Sequence, residues 1–106
     1  MLVVPAQPPR LYGRNWTSDT SLSIHWDPVP SKYINGFLVR YKVIYQLMRT
    51  SEKHVKHKEN VIEIESRDNA LSLTDLIPYS VYKFKISAAT TVGYGPFDEI
   101  FLGKQS

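Results

Sequence analysis

The sequence contains no cysteine among its 106 residues. That absence excludes disulfide staples, thiol catalysis and Cys-type zinc sites, so any fold must stand on packing. No apolar run approaches the roughly 18 residues a membrane span needs. The opening Met1-Leu2-Val3-Val4-Pro5 is too short for the apolar part of a signal peptide and lacks its basic start. Met1 reads as an added start, with natural chain continuing on both sides. Helical periodicity is nearly missing, and no helix of ten or more residues is expected. Internal repeats and low-complexity tracts are missing too. There is no His-Glu-x-x-His motif, no phosphate-cradling glycine loop with a lysine and no Gly-x-Ser-x-Gly elbow. The expectation is a non-enzyme with no cofactor and no metal, binding no nucleic acid and inserting into no membrane.

What is present is period-two alternation, broken by turn residues every 8–14 positions, the pattern of an all-β sandwich. Hydrophobic residues at 42% and charged residues at 22% suit one soluble globular domain. Pro5, Pro8 and Pro9 suit an edge strand or a linker running into one. Leu22, Ile24 and Trp26 share one face of a strand that Asp27-Pro28-Val29-Pro30 stops, and Asn35-Gly36 supplies a turn. Phe37 to Tyr45 reads as the next strand, with Phe37, Val39, Tyr41, Val43 and Tyr45 on one face. Ile62 to Glu65, Leu71 to Leu73, Tyr82 to Ala88 and Phe97 to Leu102 follow, with a turn at Arg67-Asp68-Asn69. Counting a first strand around Leu11, that makes seven strands.

The spacing resembles the fibronectin type III family. The residues that carry the resemblance begin with Pro9-x-Leu11, Leu22-x-Ile24-x-Trp26 and Ile34-x-Gly36-Phe37-x-Val39-x-Tyr41. They continue with Leu71-x-Leu73-x-x-Leu76-x-Pro78-x-x-x-Tyr82-x-Phe84-x-Ile86-x-Ala88 and Gly93-x-Gly95-Pro96. The resemblance implies an immunoglobulin-like, seven-stranded antiparallel β-sandwich over residues 8–103, with 1–7 as a linker and 104–106 as a tail. It further implies a core of Trp26, Tyr41, Leu76 and Tyr82, with the Tyr82 phenol bonded back to the turn before it. One departure stands out: 22 positions separate Tyr41 from Ile64, more than the family usually needs. The surplus falls near 47–60, expected as a protruding hairpin or a mobile loop.

That stretch also holds the charge. Residues 49–58 contain Arg49, Lys53, Lys56 and Lys58 against Glu52, which accounts for the whole net charge of +3. Together with His54 and His57 these residues are candidates for a sulfated glycan or another anionic partner, against the plainer reading of a solvated loop. His54 and His57 make a poor metal pair, because neighbouring cations repel a divalent ion. Arg40, Lys42, Lys83 and Lys85 face Glu63, Glu65 and Asp98 or Glu99, which reads as a solvated sheet face. His25 reads as a surface residue. Asn15-Trp16-Thr17 is an N-glycosylation sequon. In the loop 90–96, Thr91, Val92 and Tyr94 are candidate partner contacts, with Tyr94 at the tip; no Arg-Gly-Asp motif occurs.

The resemblance implies a module of a larger cell-surface receptor or adhesion protein, as in receptor tyrosine phosphatases, neural adhesion receptors and matrix proteins. There it would be extracellular, spacing its neighbours in the same chain and contacting a protein partner. The alternatives are a cytoplasmic scaffold module, a spacer attached to a secreted enzyme, or a glycosaminoglycan-binding module working through residues 49–58.

Overall fold

In the segment Leu22–Asp27 the alternation does what period two requires: Leu22, Ile24 and Trp26 are buried and the residues between them are only partly covered. The computed structural model describes residues 3–51 and 53–104. Its strands are β1 (Arg10–Trp16), β2 (Leu22–Asp27), β3 (Arg40–Thr50), β4 (Glu59–Glu65), β5 (Ala70–Leu73), β6 (Ser80–Ala89) and β7 (Asp98–Lys104), with a short helix α1 (Ser31–Ile34) before β3. One sheet has the order β1-β2-β5 and the other β4-β3-β6-β7. Every pairing is antiparallel. The all-β two-sheet sandwich of seven strands expected from the sequence is what forms.

The inward residues of both sheets make one core. Trp26, Phe84, Ile86 and Val43 are fully buried, and Tyr41 nearly so. The Trp26 and Tyr41 rings meet edge to face, 5.4 Å between centroids. Burial pushes the Tyr41 phenol above its ordinary value. The Trp26 indole beside it pulls the other way without forming a hydrogen bond of good geometry.

The crossover into β6 is pinned by Tyr82, whose phenolic oxygen accepts a 2.8 Å hydrogen bond from the Ile77 N–H. Asp75 and Tyr79, in the left-handed region at φ 60° and 55°, bend the chain on either side of Ile77. Tyr82→Phe leaves that N–H without its acceptor inside the fold and is expected to cost about 1–2 kcal/mol. Urea denaturation checks it; an unchanged midpoint would show that the hydroxyl is dispensable.

Two expectations about strands need correction. The third strand starts at Arg40 rather than Phe37, and Phe37 is 86% exposed. Helix α1 ends on Asn35 in the left-handed region, and with Gly36 it delays the chain's arrival at the sheet until the Val39 N–H reaches Ala89 O at 2.8 Å. The same strand runs on to Thr50, with a bulge between Leu47 and Arg49, so part of the surplus length is strand. Pairing with β4 stops at Gln46↔Glu59, whereas pairing with β6 continues to Thr50↔Ser80.

Residues 3–6, expected as linker, are tied down. The Ala6 N–H donates to Tyr33 O (2.8 Å), the Asn35 amide to Val4 O (3.2 Å) and the Thr90 hydroxyl to Val3 O (3.0 Å). Pro5 is fully buried between the region of α1 and the loop that follows β6.

Candidate functional site

The basic segment is neither a free hairpin nor a detached loop. Between the end of β3 and the start of β4, Val55 packs against the core and draws the chain 53–58 back across the open seam between the sheets. The Gln46 side-chain amide donates to His57 O at 2.7 Å and fixes the approach to β4. Side chains two apart share a side in β4, and the lining of one cleft carries that alternation back through Lys58 to Lys56. Lys56, Lys58, Asn60 and Ile62 therefore face the same way. All four line a cleft of about 450 Å³ whose opposite wall is the chain from Ser72 to Ile77.

The candidates in 49–58 thus divide. Lys56 and Lys58 stand at the cleft, while Lys53, His54 and His57 are exposed beside it. Arg49 lies on β3 opposite Val81, an exposed strand residue rather than part of the loop. Glu52 lies outside the described residues. None of these cations is among the ion pairs between described residues, which are Arg10–Asp27 at 2.6 Å and Lys85–Glu59 at 4.0 Å.

The loop after β6 departs from expectation at Tyr94. The turn closes with the Thr90 N–H on Gly93 O (3.0 Å), so Thr91 and Val92 form the exposed tip. Tyr94 folds back to bridge Ala89 and is only half-exposed. Lys42 Nζ sits 4.0 Å from the centre of its ring, and its hydroxyl is enclosed without a hydrogen-bond partner. Tyr94 is thus packed on the sheet face and does not stand at the tip of the loop.

On that sheet face the register sets Arg40 opposite Glu65, Lys42 opposite Glu63 and Lys85 opposite Glu99. Glu99 is the outward carboxylate of β7. Asp98 instead accepts the Leu11 N–H at 2.8 Å and links the two sheets at their edge. None of these facing pairs is among the ion pairs between described residues, and Lys85 reaches Glu59 instead at 4.0 Å, so the columns describe a solvated surface. His25 is half-covered, packed over Gly13 with the Tyr12 ring beside it. Asn15 is exposed on β1, and the Thr17 hydroxyl of its sequon bonds to Ser21 at 2.7 Å.

Sequence reasoning missed the cleft and the docked leading segment. The alternation Lys56, Lys58, Asn60, Ile62 was a usable signal for one cleft wall. The other wall, Ser72 to Ile77, is brought there by sheet pairing that no local pattern records.

Comparison with known proteins agrees with the geometry. A family model described as the fibronectin type III domain matches residues 7–102. The chain is 36% identical over 90 residues to the neuronal cell adhesion molecule of Gallus gallus, covering 79% of this chain and 7% of that protein. It is 35% identical over 92 residues to Homo sapiens protogenin, covering 87% and 7%. With the Lar-like tyrosine-protein phosphatase of Caenorhabditis elegans it shares 29% over 114 residues, 92% and 5%. The chain therefore spans less than a tenth of the length of these relatives. Among solved structures, the third fibronectin III domain of human KIAA0343 protein superposes with a TM-score of 0.81 at 24% identity, covering 97% of this chain and 85% of that one.

Proposed function

From the premise that this chain belongs to the fibronectin type III family, we propose that it is a non-catalytic spacer and protein-contact module in the extracellular part of a cell-surface adhesion or receptor protein. The observation that carries this reading is the position of its two ends. Residues 3–6 enter beside the loop of Thr90 to Gly95, at one pole. Strand β7 leaves opposite Ser80, at the other pole, along a molecule 49 × 24 × 17 Å. A chain that enters and leaves at opposite poles of an elongated body adds its long dimension to an array and fixes spacing between neighbours. The names of its relatives support the setting: they include cell adhesion molecules and a Lar-like tyrosine-protein phosphatase, of which a module this size is a small part. Thr91 and Val92, exposed at the entry pole, are the proposed contact with a preceding module or a protein partner.

Two copies joined head to tail, secreted from animal cells, test the proposal. Small-angle scattering should give a particle close to twice the 49 Å axis. The secreted protein should carry a glycan that glycosidase removes and that Asn15→Gln abolishes. A folded-back pair would overturn the spacer role. Unmodified Asn15 would remove the support that the sequon lends to the extracellular setting over a cytoplasmic scaffold.

A second reading, affinity for sulfated glycans, rests on one observation: Lys53, Lys56 and Lys58 cluster without ion-pair partners among the described residues.

A further inference from the structure

We propose that the cleft between the β4 edge and the chain from Ser72 to Ile77 binds a sulfated disaccharide unit of a glycosaminoglycan, an inference that rests on the sulfated-glycan reading above. The volume of about 450 Å³ falls within the 300–1,000 Å³ typical of small-ligand sites. Its chemistry is graded. Lys56 and Lys58 at the mouth each offer three donors to sulfate oxygens, as charge-assisted hydrogen bonds. Asn60 supplies a neutral acceptor in its amide oxygen, its amide N–H groups being directed at Tyr45 O and Lys58 O. Thr74 supplies a hydroxyl on the facing wall, and Tyr45 gives an aromatic surface for the apolar side of a sugar ring. Asp75, also on the lining, separates this ligand from an acidic peptide. Its carboxylate accepts from sugar hydroxyls, a contact that the side chains of an acidic peptide do not offer, while its charge repels the sulfates of one ligand and the carboxylates of the other alike. The cationic wall of the cleft comes from the long connection between β3 and β4.

The probe is a heparin-derived tetrasaccharide, titrated into the isotope-labelled domain and followed residue by residue by NMR. Perturbations should centre on Lys56, Lys58, Asn60, Thr74 and Ile77. The desulfated tetrasaccharide should bind at least about tenfold more weakly, for loss of charge-assisted contacts. Asp75→Asn removes one exposed charge that repels sulfate, keeps an amide oxygen to accept from a sugar hydroxyl, and keeps a side chain that tolerates the left-handed backbone at φ 60°. It should tighten binding about threefold, while Asp68→Asn at the far end of β4 leaves it unchanged. Perturbations confined to Lys53, His54 and His57, with both variants behaving alike, would overturn the cleft while leaving the glycan reading standing. No binding of the tetrasaccharide would end both. Inorganic sulfate or polyglutamate moving the same cleft signals at equal affinity would overturn the saccharide as the ligand class.

Discussion

Trp26→Ala should destabilise the domain by about 3–5 kcal/mol, the range for truncating a large buried aromatic. Trp26 has no exposed surface and fills the space between the two sheets, edge-on to Tyr41 from β3 and surrounded by the inward residues of both layers. Against a total stability of about 5–15 kcal/mol, a loss of that size leaves the domain marginal at 37 °C. The cavity would sit where the sheets meet, so neither can close over it without shifting its register. Trp26→Phe should cost distinctly less, for a reason beyond volume: the indole N–H has no hydrogen-bond partner in the core, and phenylalanine removes that buried donor. Urea midpoints for the two variants check the ordering. Equal losses would show that the indole N–H carries an interaction of its own.

Trp26 also marks where the sequence was readable. Leu22, Ile24, Trp26 and Tyr82, Phe84, Ile86, Ala88 alternate against polar neighbours, and burial on one face of a strand is what writes such a pattern. The bond from the Ile77 N–H to the Tyr82 phenol was expected from the family resemblance alone, because no alternation of apolar residues encodes it. Phe37 misled because its alternation with Val39 continues through a stretch where Asn35 and Gly36 hold the backbone away from the sheet. The basic segment was located but not its posture: Val55 and the bond from Gln46 to His57 O anchor it, and a lone valine among cations carries no periodicity. Tyr94 was misplaced because its position depends on Lys42, a strand away. The candidate site fared worst. Its walls join Lys56, Lys58 and Asn60 to Thr74 and Asp75, which meet only once both sheets exist.

Gly95→Ala should cost about 2–4 kcal/mol although it adds one methyl group. A Cβ built on Gly95 would lie 2.4 Å from Pro5 O, 3.1 Å from Pro5 C and 3.2 Å from Pro5 Cβ. The obstacle is backbone rather than the end of a flexible side chain, and Pro5 is fixed in φ and fully buried. On the other side the Gly95 N–H is held by Ala88 O at 2.9 Å, so the loop cannot retreat without breaking its own closure. The leading segment must therefore leave. With it would go the bonds from Ala6 to Tyr33 O, from Asn35 to Val4 O and from Thr90 to Val3 O, together with the burial of Pro5. Each bond has a net worth of about 0.5–1.5 kcal/mol, and their sum with the lost apolar burial, less the chain entropy that the freed segment regains, sets the expected range. Gly103→Ala is the control, because its Cβ would meet only Val81 Cγ2 at 3.8 Å, and it should be nearly silent. Hydrogen exchange gives the mechanism: the Ala6 amide should lose protection in Gly95→Ala while Phe84 in β6 keeps it. In a chain shortened by residues 1–6, the same substitution should cost almost nothing further, since the two changes remove one contact between them. A full penalty in the shortened chain would place the strain inside the loop and detach Gly95 from the leading segment. If the coupling is found, the entry pole is a fixed joint: the chain reaches the first strand already docked, and the angle of approach is set by this module itself.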